Sequence, residues 1–114
     1  MQPCIFCQII KREIQTTIVM ETDDVLVIKD HAPKAPIHYL ILPKKHVADI
    51  QSLEAADELL AAHMFFVAQR LAKTLAQPHA FKLVSNNGAS AGQRVFHWHL
   101  HFLSGPLTTD VRGL

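Results

Sequence analysis

Three histidines occupy every second position near the carboxyl end of the chain, at His97, His99 and His101. Successive side chains of a β-strand point to opposite faces, so a strand over Val95–Leu103 would place the three imidazoles on one face, about 6.6 Å apart. Large apolar residues would fill the other face, namely Trp98, Leu100 and Phe102. Such a row of imidazoles can hold a metal ion, or it can bind an anion and attack it. The plainer alternative is an exposed polar face on an edge strand, and the strict alternation argues against it.

A loop of small residues, Asn86 to Gln93, leads directly into this strand. Gly88 and Gly92 permit unusual backbone dihedral angles, so free N–H groups of the loop could point at an anion. Taken alone, the loop could equally be a mobile connection between strands. Beside three imidazoles it favours a phosphate pocket.

The rest of the sequence predicts an antiparallel α+β domain with five strands, one long helix and a short amino-terminal helix. Helical spacing of apolar residues predicts the short helix over 4–12 and the long one from an N-cap at Ser52 to Gln77, before Pro78. Four further strands, joined mainly as sequential hairpins, are predicted over Thr17–Glu21, Val25–Lys29, His38–Leu42 and Phe81–Asn86. Residues 104–114 lack periodicity and predict a loop or tail.

Composition indicates one globular domain over residues 1–114, with 49% hydrophobic and 18% charged residues. A net charge of +1 gives no basis for binding nucleic acid or an anionic membrane surface. No apolar run approaches the roughly 20 residues that span a bilayer, and no secretion signal is visible. We therefore expect a cytoplasmic protein.

The two cysteines, Cys4 and Cys7, have the spacing of zinc ligands, although a zinc site needs two more. The alternative is a pair of buried thiols on a short amphipathic helix. A thioredoxin-like redox role is disfavoured because the motif does not follow a strand of a βαβ unit.

Three segments resemble signatures of the histidine-triad, or HIT, family. The segment from Gly92 to Leu103 is similar to the motif His-φ-His-φ-His-φ-φ, where φ is apolar, with Gly-Gln before it. Asp30 to His46 resembles a second signature, in which a loop Asp precedes a strand-borne His and a Pro-Lys-x-His. Cys-Ile-Phe-Cys at Cys4 resembles the amino terminus of bacterial members. The combination is most similar to the Hint branch, the histidine-triad nucleotide-binding proteins.

This resemblance implies a hydrolase that cleaves the P–N or P–O bond at the α-phosphate of purine nucleoside phosphoramidates or related nucleotides. The middle histidine, here His99, would attack the α-phosphorus to form a nucleotidyl-histidine that water hydrolyses. A main-chain carbonyl would fix the tautomer of that imidazole. His101 and His38 would stabilise phosphate charge, and His97 would orient the site and assist the leaving group.

The resemblance also implies where AMP, GMP and their derivatives would bind. Asp30 would accept hydrogen bonds from both ribose hydroxyls. The base would lie against Phe6, Ile9, Ile28 and His31, and the phosphate would be held by Asn86, Gln93, Arg94 and Val95. Arg94 departs from the family pattern, in which a Ser or an acidic residue is common. Pointing into the pocket, its side chain would favour anionic leaving groups over amines; pointing out, it would leave only its backbone N–H to contact the phosphate.

Some bacterial members of the family with Cys-x-x-Cys hold a structural zinc with two histidines, which match His46 and His97. Catalysis itself would need no metal. Members pair as homodimers by continuing the sheet and packing their long helices, and the apolar Leu59 and Phe65 outside the main stripe of the helix fit such a second buried face. Three other functions stay open: a dinucleoside polyphosphate hydrolase, a catalytically weak nucleotide-binding regulator, and a triad that serves only as a metal site.

Overall fold

A computed structural model describes residues 4–106, which form one five-stranded antiparallel sheet, two α-helices and three short 3₁₀ turns. The helices are α1 (Ile5–Ile10) and α2 (Glu58–Lys73). The strands are β1 (Ile18–Glu21), β2 (Val25–Lys29), β3 (Ile37–Pro43), β4 (Lys82–Val84) and β5 (Leu100–Ser104). The predicted α+β class is confirmed. Most of the predicted tail, residues 107–114, lies outside the described residues.

The strand order in the sheet is β1-β2-β3-β5-β4, so sequential strands are neighbours except where β5 lies between β3 and β4. This insertion places the last strand near the centre of the sheet. His101 thereby faces Leu40 of β3 across one ladder and Val84 of β4 across the other. The histidine segment is thus held from both sides.

The two faces of the sheet carry separate apolar clusters, as the alternation of side chains along a strand requires. One face packs on α2, and its buried residues include Val27, Ile41, Met64, Leu71, Trp98, Leu100 and Phe102. The other face packs on α1 through Phe6, Ile9, Leu26, Ile28, Leu40 and Leu42. Because His101 pairs with Leu40, it lies on the α1 face. The predicted placement of Trp98, Leu100 and Phe102 on the face opposite the histidines is confirmed.

The predicted strand over Val95–Leu103 is too long, because β5 begins only at Leu100. The backbone N–H of Trp98 donates to the carbonyl of Val47 at 2.6 Å, so this part of the chain joins the loop after β3 instead of a strand ladder. His97 and His99 therefore precede the strand that carries His101. Their side chains nevertheless stay on the side of the sheet that packs on α1, where both contact Phe6.

The long helix is shorter than predicted: it begins later, at Glu58, and ends earlier, at Lys73. Ser52 does not cap it, since the backbone N–H and hydroxyl of Ser52 both donate to the Asp49 carboxylate in a separate 3₁₀ turn. At the other end the backbone N–H of Thr74 donates to the carbonyl of Leu71, which tightens the last turn before Pro78. No helix in the described part of the chain has the length and apolar content needed to span a membrane.

Candidate active site

A cavity of about 280 Å³ lies on the α1 face of the sheet, between α1, the loop after β2 and the segment that enters β5. It brings together most of the predicted site residues. Those that line it are Phe6, Ile9, Ile28, Asp30, His31, His38, Asn86, Arg94, Val95, His99 and His101. The side chains of Gln93 and His97 do not line it.

His99 has its tautomer fixed by the main chain. Its Nδ1 lies 2.7 Å from the carbonyl oxygen of His97, and a carbonyl can only accept, so Nδ1 carries the proton and Nε2 keeps its lone pair. Burial lowers the pKa of His99, while the bond to His97 and the charge of Asp30 oppose this effect. At neutral pH the residue is therefore a neutral imidazole with one basic nitrogen, as nucleophilic attack requires.

His38 and His101 form a second ordered pair. The backbone N–H of Lys34 donates to Nδ1 of His38 at 3.0 Å, which leaves the proton of His38 on Nε2. That Nε2 lies 2.9 Å from Nδ1 of His101 and donates to it, so His101 carries its own proton on Nε2. Burial lowers the pKa of both residues, that of His101 to about 4. His101 is thus a neutral N–H donor, suited to a phosphate oxygen.

The His97 side chain is fully buried and faces away from the cavity. Its Nε2 donates to the carbonyl of Pro43 at 2.7 Å, which leaves the lone pair on Nδ1 directed toward Cys4, Cys7 and His46. Burial lowers the pKa of His97 to about 4. The predicted help of this side chain to the leaving group does not fit this position. Its part in orienting the site is performed by its carbonyl.

The predicted metal ligands Cys4, Cys7, His46 and His97 form one cluster, with one ligand atom from each inside a 4.8 Å span. Nδ1 of His97 lies 3.4 Å from Sγ of Cys4 and 3.2 Å from Nδ1 of His46, and Sγ of Cys7 lies 3.3 Å from that same nitrogen of His46. A tetrahedral zinc would separate two nitrogens by about 3.4 Å and a nitrogen from a sulfur by about 3.6 Å. The donor set and its spacing therefore fit zinc. Without a metal ion, burial and the adjacent Cys4 raise the pKa of the Cys7 thiol.

Gln93 braces the loop before the histidines instead of offering its amide to a phosphate. Its Oε1 accepts from the backbone N–H of Gly88 at 2.8 Å, and its Nε2 donates to the carbonyls of Ala48 and Val95. This corrects the predicted phosphate contact of the Gln93 side chain. Gly92, with φ of +96°, closes the 3₁₀ turn that this brace holds, a conformation suited to glycine.

Four of the eight backbone N–H groups in the glycine loop, Asn86 to Gln93, are occupied. Those of Gly88, Ala91, Gly92 and Gln93 all bond within the loop. Across residues 4–106 the backbone N–H groups of Arg94 and Val95 have no partner, and both residues line the cavity. These two N–H groups, which directly follow the loop, are therefore candidate donors for an anion.

The charged residues that line the cavity are mainly cationic. Lys34 and Arg94 line it together with one acidic residue, Asp30. Lys29 also lines it, but its pairing with Tyr39 directs its side chain to the α2 face. Oδ1 of Asp30 accepts from the backbone N–H of Ala32, and Oδ2 lies 3.4 Å from Nε2 of His38. Sequence reasoning missed Lys34, for which the loop gives no local signal. It also missed Leu40, which the two-residue period from His38 would have placed on the same face.

A second cavity, about 370 Å³, lies between the β1–β2 turn and α2 and contains none of the predicted site residues. Its polar groups stabilise the turn: Nδ1 of His63 lies 2.5 Å from the Asp24 carboxylate, to which the Thr22 hydroxyl also donates. The histidine cavity is the one that combines a nucleophile with anion donors.

Comparison with known proteins identifies the class to which this site belongs. A family model described as the HIT domain matches residues 11–106. An uncharacterised HIT-like protein of Synechocystis is 45% identical over 101 residues, which cover 89% of each chain. A HIT family hydrolase from Legionella pneumophila has a TM-score of 0.89 at 37% identity, covering 97% of this chain and 99% of that one. One from Clostridium thermocellum has a TM-score of 0.89 at 36% identity, covering 97% and 98%.

The chain therefore belongs to the HIT domain family. Two of its structural relatives are named HIT family hydrolases, which supports a hydrolase-like role for the histidine cavity.

Proposed function

We propose that the protein is a nucleotide hydrolase of the Hint type, which cleaves purine nucleoside phosphoramidates or related nucleotides at the α-phosphate through a covalent nucleotidyl-His99. One observation carries the proposal: His99 presents the lone pair of Nε2 in the same cavity where His101 has a proton on its own Nε2. A nucleophile and a matched donor for the phosphate oxygen are thus both held in their reactive tautomers.

In the first step Nε2 of His99 attacks the α-phosphorus, and the bond from phosphorus to the leaving group breaks. The leaving nitrogen or oxygen departs with the electron pair of that bond and takes a proton from water. His101 and the free backbone N–H groups of Arg94 and Val95 stabilise the negative charge on the phosphoryl oxygens. The oxygen of a water molecule then bonds to phosphorus as the phosphorus–His99 bond breaks, and the electron pair of that bond returns to Nε2. The proton that this water loses neutralises the hydroxide left by the first step, so the nucleoside monophosphate is released and His99 is again a neutral imidazole.

The remaining cavity residues suit a purine nucleoside. Phe6, Ile9 and Ile28 form an apolar wall for the base, and they recognise its flat faces more than its polar edges. Asp30 lines the same cavity and has a carboxylate for the ribose hydroxyls. AMP and GMP are accordingly the expected products.

We further propose that Cys4, Cys7, His46 and His97 bind a structural zinc. When bound, the metal would cross-link α1 to the loop after β3, and no step of the hydrolysis passes through it. We expect one zinc per chain by elemental analysis of protein purified without chelator, and a loss of at least tenfold in zinc affinity for Cys7→Ser. Wild-type protein that binds no zinc would exclude the site.

The deciding experiment for the proposed function is a turnover assay with adenosine phosphoramidate and diadenosine tetraphosphate. His99→Ala is expected to lose at least a thousandfold in kcat with both substrates, while AMP binding measured by calorimetry changes less than about fivefold. His79→Ala, which removes an imidazole outside the cavity, is the matched control. Retention of full activity by His99→Ala would show that the nucleophile is wrongly assigned.

The dinucleoside polyphosphate hydrolase is the second candidate, because the cationic residues Lys34 and Arg94 that line the cavity suit a leaving group with several negative charges. A higher kcat/KM for diadenosine tetraphosphate than for the phosphoramidate would favour it. AMP binding without turnover of either substrate would instead indicate a nucleotide-binding regulator. Loss of all AMP binding on chelation would indicate that the triad serves as a metal site.

A further inference from the structure

We infer that the Cys/His cluster and the nucleotide cavity are energetically coupled through α1 and the His97 backbone, so that zinc and nucleotide each strengthen the binding of the other. The inference rests on the proposed nucleotide site and zinc site, and goes beyond both. Two separate physical links between the sites carry it.

The first link is His97, which serves both sites with different atoms. Its ring offers Nδ1 to the cluster, while its main-chain carbonyl holds Nδ1 of His99 at 2.7 Å. Nε2 of the same ring is fixed to the carbonyl of Pro43 at the end of β3. A metal bound to the ring therefore restrains the backbone that orients the nucleophile.

The second link is Phe6, which lies between the two cysteines and forms a wall of the nucleotide cavity. Its ring meets the imidazole of His99 edge-on at 5.0 Å between ring centres, and that of His97 at 5.8 Å. Cys4 is also the N-cap of α1, since its Sγ accepts from the backbone N–H of Cys7. The two thiols and the Phe6 ring, which forms part of the wall for the base, thus belong to one short helical turn.

This turn has little stability of its own. α1 has six residues, far fewer than an isolated helix needs in water. It is held by the packing of Phe6 and Ile9 on the sheet and by the cluster. A bound metal would order the turn before a nucleotide arrives, and a bound base would order it before a metal arrives. Because the first ligand has already ordered α1, the second loses less conformational entropy on binding and therefore binds more tightly.

Such coupling must be reciprocal, which makes it measurable from both sides. The affinity of zinc is measured by competition with a chromophoric chelator, with and without saturating AMP. The affinity of AMP is measured by calorimetry on zinc-loaded and zinc-free protein. We expect both affinities to rise by one common factor, between about 5 and 150.

Two variants separate this coupling from simple damage to the cavity. Phe6→Leu keeps an apolar wall but removes the ring between the two sites, and should reduce the common factor at least threefold. Ile28→Val trims the same cavity from β2, which carries none of the four ligands of the cluster, and should weaken AMP binding while keeping the factor. Thermal unfolding of both variants with and without zinc checks that each folds and binds metal.

The outcomes are distinct. A common factor that falls in Phe6→Leu and persists in Ile28→Val supports the inference. Zinc binding whose affinity is unchanged by AMP overturns it and leaves both proposed sites standing. Failure of wild type to bind zinc overturns the inference with the zinc site, and failure to bind AMP overturns it with the proposed function. Equal loss of the factor in both variants contradicts the transmission through Phe6.

Discussion

The chemistry of the four buried histidines is set by one hydrogen bond each. A carbonyl acceptor gives His99 a free Nε2 and His97 a free Nδ1, so the first can attack and the second can bind metal. A backbone N–H donates to Nδ1 of His38, so the proton of His38 is on Nε2 and is donated to Nδ1 of His101. The proton of His101 is therefore on its own Nε2, which can donate to a ligand. Residues of one type, at nearly regular spacing, thereby become suited to three different roles.

The depressed pKa of His101 predicts a pH dependence of stability. Between about 4 and the ordinary histidine value of 6.5, the unfolded chain binds a proton that the native state excludes, so the free energy of unfolding rises with pH in this window. We expect His101→Asn, whose amide oxygen can still accept from His38, to reduce that rise by on the order of 2 kcal/mol. Urea unfolding at pH 4.5 and pH 7 measures this rise in the free energy of unfolding for wild type and variant, with His79→Asn as the control. An unchanged rise would mean that His101 is charged in the native state.

Arg94 predicts a preference for anionic leaving groups. Among residues 4–106 its side chain has no carboxylate partner, and Arg94 is one of the residues that line the cavity with His99, the proposed nucleophile. Arg94→Ser should lower the ratio of kcat/KM for diadenosine tetraphosphate to that for adenosine phosphoramidate by about tenfold, because a charge-assisted bond to phosphate is lost. The change should shrink as salt is raised. A ratio unaffected by the substitution would place the guanidinium in solvent during catalysis.

Spacing predicted which histidines would gather, and the family resemblance implied their roles, but neither indicated the contact that orients His97. Spacing alone grouped His97, His99 and His101. The partner that turns His97 toward the metal cluster is the Pro43 carbonyl, 54 positions away, and no local pattern encodes it. The motif placed Gln93 next to the site. Its side-chain amide, however, is hydrogen-bonded to the backbone of Gly88 and Ala48 and is not free to contact a phosphate.

At the scale of elements, α2 directly follows the 3₁₀ turn Ala55–Asp57, whose polar capping box sequence periodicity could not locate. The buried carboxylate of Asp57 accepts from Nζ of Lys45 at 2.6 Å and from the backbone N–H of Glu54 at 3.0 Å. Lys45 lies next to the proposed metal ligand His46, so the same contact fixes the loop after β3 to the start of the helix. The apolar stripe predicted the helix itself, whose face packs on the sheet as expected.

Replacement of Asp57 should therefore destabilise the fold. Asp57→Ala leaves a backbone donor and a lysine without their acceptor, and we expect a loss of about 1–2 kcal/mol in the free energy of unfolding. Glu58→Ala, one residue later at the first position of α2, is the matched control and should change it by less than about 0.5 kcal/mol. Equal effects in urea unfolding would show that the cap contributes nothing beyond surface charge.

At the scale of the whole molecule, the sheet separates two tasks. The α1 face holds the histidine cavity and the cluster, and the α2 face holds the larger apolar core. Alternation along the strands predicted this division, because side chains of opposite character point to opposite faces. The position of β5 between β3 and β4 was not predictable from local pattern, since strand order depends on contacts distant in sequence.

The outer surface of α2 carries large apolar side chains that the isolated chain leaves in water. Leu59, Phe65 and Phe66 are 68%, 56% and 61% exposed, on a helix whose opposite side is already buried. Scattered single residues would need no explanation, but three on one short helix favour burial against a partner. We propose that a second copy of the chain covers them in a homodimer.

Light scattering during gel filtration at micromolar concentration tests the dimer, for which we expect twice the chain mass of 12.8 kDa. Phe65→Glu should shift the protein to monomer and raise its dissociation constant at least a hundredfold, because a desolvated carboxylate would face an apolar partner. Gln15→Glu adds the same charge at an exposed position outside α2 and should leave the mass unchanged. Since Phe65 does not line the cavity, AMP binding by the monomeric variant reports whether each chain holds a complete nucleotide site. A wild-type protein that elutes and scatters as a monomer would show that α2 is exposed in solution, and its apolar residues would then need another partner.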